Sequence, residues 1–187
     1  MSKQVYKIAD GCLVVLQIPA DAKTNENRNF VKHKKTAKFR CNKAYVLSIM
    51  SLKTGTFQTS VRSLYSYGFI YKVGEFVEEL YYDDDGDIVC TTGIHYYLTS
   101  LGAYIHYMRP ACFGEDGTVY SVSNKKNGKK NHKKTIKTYK KEFAKKLKRL
   151  SKLQYSLSCT IDTASDITSN LDFYYKYDPY LDFDIHI

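Results

Sequence analysis

From residue 133 to 153 the chain reads KKTIKTYKKEFAKKLKRLSKL, and its apolar residues Ile136, Tyr139, Phe143, Leu147, Leu150 and Leu153 follow one another at steps of three or four. That spacing gathers them on one side of an α-helix, and the remaining sides are almost wholly cationic. About twenty residues at a rise of 1.5 Å make a rod of roughly 30 Å. Such a rod has to lay its stripe on something. Burial contributes about 1.5 to 3 kcal/mol for each large apolar side chain, so the chain's own body competes for the stripe with an anionic membrane surface or a partner.

A body with an apolar face is readable upstream. GCLVVLQI (11–18), closed by Pro19, and KAYVLSIM (43–50) read as buried strands. LKTGTF, with Gly55 supplying positive φ, turns the second back into TFQTSVRSLYS as a hairpin. FIYKVGEFVEELYY (69–82) reads as a strand bent at Gly74, DDDGD as an exposed turn and IVCTTGIHYYLT as a further strand. Leu101, Tyr104, Ile105 and Met108 have helical spacing, with Thr99 or Ser100 as N-cap and Arg109-Pro110 as stop. ADAKTNENRNFVKHKKTAKFR, polar and without a period, reads as a solvated loop.

The expected fold class is α+β: a small mixed or antiparallel sheet of four to six short strands with one short helix, followed by the basic amphipathic C-terminal helix. The expected division is a core over 1–112, a basic turn-rich linker over 113–132, the helix over 133–155 and an acidic, aromatic tail over 156–187.

Charge is distributed very unevenly. Of the net +10, residues 1–120 carry +2, residues 121–152 carry +13 and residues 153–187 carry −5. Fourteen cations within 32 residues make a field that phosphate polymers feel. The candidate polyanion-binding residues are Lys129, Lys130, Lys133, Lys134, Lys137, Lys140, Lys141, Lys145, Lys148 and Arg149. No base-reading motif accompanies them, so the partner they imply is RNA or DNA bound without regard to sequence, with another protein as the other partner class. KKNGKKNHKK also suits nuclear localisation. The acidic tail could fold over the basic segment and compete with such a partner, its tyrosines stacking on cations.

Compartment follows from the cysteines and from hydropathy. Five scattered cysteines without a Cys-x-x-Cys pair read as reduced thiols. The first twenty residues do not read as a secretory leader, and no apolar run reaches eighteen. An intracellular setting, cytoplasm or nucleus, is expected.

Familiar site chemistries are looked for with little return. Laying the DDDGD turn on an EF-hand loop puts Tyr81 where the first carboxylate belongs and Thr92 where the closing Glu belongs. Cys90, His95, His106 and Cys112 stand 5, 11 and 6 residues apart, which matches no compact zinc finger. Phosphate-loop, dinucleotide and hydrolase fingerprints are missing, so neither a metal nor a cofactor is expected. On a continuous strand Cys90 and His95 would point to opposite faces, against direct nucleophile–base pairing, unless Gly93 breaks the alternation.

CLVVLQIPADAKT, KFRCNKAYVLSI, YKVGEFV and CTTGIHYYLT followed by a short helix, taken in that order, resemble an uncharacterised domain recurring in giant DNA viruses, often beside MORN-like repeats. The resemblance spans about residues 10–108 and implies an unassigned viral domain with no activity to carry over, set in host cytoplasm or nucleus or in a virion, with a host or viral protein as a partner class. DGTVYSVSNKKNGKK resembles at most one worn repeat. Gly93, Ile94 and His95 then have two readings. In the structural one, Gly93 takes a conformation closed to other residues, Ile94 enters the core and His95 ties a strand to a carbonyl or carboxylate. In the functional one, His95 is an acid–base or ligand-touching group in a cleft near Arg40, Cys41 and Lys43, the weak catalytic candidate of an enzyme acting on a nucleotide or protein. The leading reading is a non-enzymatic binding module.

Overall fold

The structure, a computed structural model, describes residues 2–63, 69–108, 114–119 and 132–158, with side chains of the last segment given for Lys133 and from Thr135 to Leu153. The Arg109-Pro110 stop, the KNG turn, Lys129, Lys130, Cys112 and residues 159–187 of the acidic tail lie outside the described residues, whereas residues 156–158, expected to open that tail, end the second helix.

The chain opens with a hairpin. β1 (Lys3–Ala9) and β2 (Cys12–Ile18) pair in full register from Lys3↔Ile18 to Ala9↔Cys12. Asp10 and Gly11 join them at φ 42° and 71°, the two left-handed residues that a tight hairpin turn demands. β3 (Lys38–Cys41), β4 (Lys43–Ser51), β7 (Phe76–Glu78) and β8 (Ile94–Tyr97) complete a six-stranded sheet in the order β3-β8-β1-β2-β4-β7, antiparallel at every pairing. β5 (Ser60–Arg62) and β6 (Ile70–Lys72) form a separate two-stranded sheet. The helices are α1 (Ser100–Met108) and α2 (His132–Ser158).

Alternation along the strands sorts side chains onto two faces. Val5, Val14, Leu16, Val46, Ile49, Ile94 and Tyr96 line one face and pack with Val61 and Tyr71 of the β5–β6 hairpin. Tyr6, Leu13, Val15, Met50 and Tyr97 line the other, where Leu101 and Ile105 of α1 and Tyr139, Phe143, Leu147 and Leu150 of α2 cover them. The two helices meet through Tyr104 and Phe143, stacked with ring centroids 4.5 Å apart. Both faces of β1 and β2 are thereby buried, which is why LVVL shows no polar alternation.

The expected α+β class is found, in its antiparallel form. Several elements differ from expectation. Among the described residues there are eight strands rather than four to six, because β1 and β3 were not anticipated and the segment over 69–82 divides in two. TFQTSVRSLYS does not return along β4 as a full strand: Met50↔Phe57 is an isolated bridge, and β5 leaves to pair with β6. The segment over 69–82 is two strands in different sheets, parted where Gly74 takes φ 83°. Strand character after the Asp run begins only at Ile94. Thr99 caps α1 as expected, its Oγ1 accepting from the Gly102 amide at 3.0 Å while donating to Lys35 O at 2.8 Å. Among the described residues no helix is long and apolar enough to cross a membrane.

Candidate functional site

Two concavities flank the sheet. The first lies along α2. Because Tyr139, Phe143, Leu147 and Leu150 face the sheet, Lys137, Lys141, Lys145, Lys148, Arg149 and Lys152 are exposed, and Lys140 and Lys146 are half-buried. Leu153, one turn past Leu150, does not join the covered stripe but edges the groove at 39 % exposure. A groove of about 1100 Å³ runs between this helix, the Asp10-Gly11 turn and the end of β4. Its cations are Lys53, Lys145, Lys146, Lys148, Arg149 and Lys152, against Asp10 and Glu142. Gly11 O accepts from the Leu52 amide at 2.9 Å, which fixes the turn against the end of β4.

Of the ten cations singled out in the sequence, Lys145, Lys148 and Arg149 line the groove, whereas Lys133, Lys137 and Lys141 are exposed, and Lys140 half-buried, on α2 outside it. Lys134 is in the helix, its side chain outside the described atoms, and Lys129 and Lys130 precede the described helix. Lys53, Lys146 and Lys152 were missed. Helical spacing counted from Arg149 and Lys148 could have found the last two, at three and four residues' remove; Lys53 is brought in only by the fold.

The second concavity opens where the sheet parts. β8 meets β1 at the single couple Tyr6↔Tyr97, and beyond it the strands diverge around a cleft of about 670 Å³. Lys7 and Ile8 line it from β1, Lys38 from β3, His95 and Tyr97 from β8, with Tyr71, Cys90 and His106 around them. His95 Nε2 lies 3.2 Å from Val89 O, so it is a donor in the neutral ring. Burial above all, then the neighbouring Lys38 and Lys7, pulls the His95 pKa down to about 4, and burial followed by Lys38 does the same to His106. Both rings are therefore neutral near pH 7.

Cys90 and His95 line the same cleft because residues 90–93 form a bend and not a strand, so the opposite-faces argument does not apply. They are nonetheless not hydrogen-bonded partners: Cys90 Sγ accepts from Lys38 Nζ at 2.7 Å and His95 is held by Val89. The bend turns on Gly93, at φ 142°, where a Cβ would stand 3.2 Å from Arg40 Cβ and 3.3 Å from Cys41 O. Ile94 is in the core at 1 % exposure. Arg40, Cys41 and Lys43 do not surround His95 in a cleft. Cys41 is buried, its thiol pushed up to about 12 by burial, and Lys43 pairs with Asp21 at 2.6 Å.

Arg40 explains the acidic turn. Fully buried, it pairs in register with His95, yet its guanidinium reaches under the 82–92 loop. Nε donates to Ile88 O at 3.0 Å and Nη1 to Thr92 O at 3.3 Å. Asp83 O and Asp85 O accept from Nη1 and Nη2, and the Tyr82 ring lies 4.9 Å from Cζ. The loop's carbonyls thus converge on a cation that the chain itself supplies, while its carboxylates turn to backbone amides and to Lys23.

An antiparallel sheet whose one face is covered by two helices, with a lysine-lined groove beside it and a parted cleft within it, defines an α+β domain with two concavities of mixed polar and apolar lining. The chain belongs to a family of unknown function, DUF5758, whose model matches residues 3–103. The matched region takes in every strand and the start of α1, and with them all of the cleft's lining except His106; α2 lies beyond it. No curated protein matches the chain, and no solved structure does.

Proposed function

We propose that the chain is an intracellular, non-enzymatic binding module that holds the phosphate backbone of RNA or DNA along α2 and the groove beside it, without reading bases. One observation carries this reading: the apolar stripe of α2 is consumed by the body, so Lys145, Lys148, Arg149 and Lys152 are presented outward on a braced element. Cations fixed on a rigid rod release counterions from a phosphate chain with little ordering cost of their own. Free thiols at Cys12, Cys41 and Cys90 suit a reducing compartment. The rival enzyme reading needs His95 to accept and release a proton near neutrality, and its tie to Val89 O and depressed pKa speak against that.

Affinity for an arbitrary single-stranded 20-mer, measured against salt, tests the reading. Engagement of four phosphates gives a log–log slope of roughly −3. Reversing Lys145, Lys148 and Arg149 to Glu together should flatten that slope and weaken binding at every sequence tried. A slope near zero in the native chain, or a triple variant that binds as tightly, removes nucleic acid as the partner.

A further inference from the structure

The parted cleft shares no lining residue with the α2 groove. Lys7 Nζ donates to Tyr71 OH at 2.8 Å and stands 4.8 Å from that ring's centroid, and Lys38 Nζ donates to Cys90 Sγ at 2.7 Å. Both ammonium groups are thus held in place by hydrogen bonds, and neither is within ion-pair distance of a described carboxylate. The one carboxylate in the described lining, Glu79, accepts from the Tyr81 amide at 3.1 Å. Two positive charges from separate strands thus reach one half-enclosed space, and among the described residues no carboxylate pairs with either. Phe69, Tyr71 and Tyr97, with Ile8, give the lining an aromatic and aliphatic wall, beside the hydroxyls of Ser63, Thr91 and Thr92 and the two histidine rings. A volume of about 670 Å³ is in the range that small organic ligands occupy.

We propose that this cleft binds a small phosphomonoester with a planar apolar body, of mononucleotide size, its phosphate between Lys7 and Lys38 and its ring against the aromatic wall. Two uncancelled lysines match a dianionic head, and lysine binds phosphate as a point charge without demanding bidentate geometry. The site is independent of the α2 groove. Cys90, exposed beside Lys38, reports on occupancy.

Adenosine monophosphate and phenyl phosphate are the probes, with neutral adenosine as control. Each is titrated into the full chain by calorimetry, and iodoacetamide alkylation of the peptide carrying Cys90 is followed by mass spectrometry. Saturable binding of at least one phosphate probe is expected, slowing Cys90 alkylation, with no effect of adenosine. Lys7→Met and Lys38→Met keep the aliphatic stems in place; each should weaken binding about tenfold or more with melting temperature preserved. Lys145→Glu/Lys148→Glu should leave it unchanged, which separates this site from the groove whatever the fate of the nucleic-acid reading. The proposal is overturned if neither phosphate probe at millimolar concentration slows Cys90 alkylation, if adenosine protects equally, or if binding survives the Lys7→Met/Lys38→Met pair.

Discussion

At the scale of the residue, this chain places unusual weight on polar groups inside the fold. Arg40 replaces what would otherwise be a set of unpaired loop carbonyls, and His95 and His106 are kept neutral between hydrophobic neighbours and lysines. The histidines make stability pH-dependent in a definite direction. An ordinary histidine titrates near 6.5, whereas these two titrate at about 4 in the fold. Between those values the unfolded chain binds up to two more protons than the folded one, so stability is full above pH 6.5 and falls as pH drops toward 4. The limiting slope is about 1.4 kcal/mol per pH unit for each histidine. Carboxylates held low, such as Asp116 at about 2, act only in more acid solution and do not offset this. Urea midpoints at pH 7 and pH 5 should therefore differ, and His106→Asn should remove about half of the difference. Equal midpoints would show that the rings are protonated in place at no cost. None of this was readable in the sequence, where His95 is merely a polar residue in an apolar run; its neutrality comes from β1 and β3, brought beside it by the sheet.

At the scale of the element, legibility followed from how many faces each element buries. α2 has one buried stripe and β2 and β4 are long and apolar, so all three were plain. β1 was not, since KQVYKIA interleaves lysines with Val5 and Tyr6, although the Asp-Gly that follows is the strongest short hairpin signal available. β3 hid at the end of a lysine-rich stretch because Arg40, a charged residue at 0 % exposure, interrupts its apolar pattern. The groove was half readable: its helical cations follow from the period, its wall at Gly11 and Lys53 only from the fold. The claim that α2 is part of the body, not an appendage, has its own test. Phe143 is 2 % exposed and stacks on Tyr104. Phe143→Ala should cost about 3 to 5 kcal/mol of global stability, whereas Lys141→Ala on the solvent side should stay within about 0.5 kcal/mol. Should both variants unfold at the same denaturant concentration as the native chain, the helix is not braced, and the rigid-rod argument for phosphate binding fails with it.

At the scale of the whole molecule, the question is what a net charge of +10 conceals. Residues 159–187 hold six Asp and one Lys, so a chain ending at Ser158 would carry five more positive charges than the full one. If the acidic stretch competes with phosphate for the groove, it does so as a tethered ligand, present at an effective concentration that a free acidic peptide of the same sequence could not reach. The shortened chain should then bind the 20-mer more tightly at low salt, and the advantage should shrink as ionic strength rises, because both competitors are screened together. Replacing the six Asp by Asn, with the aromatic residues kept, should reproduce the gain if charge is its source. If truncation tightens binding and the Asn variant does not, the aromatic residues, not the carboxylates, carry the competition. If neither change alters affinity, the acidic stretch and the groove are independent, and the groove meets nucleic acid without an internal rival.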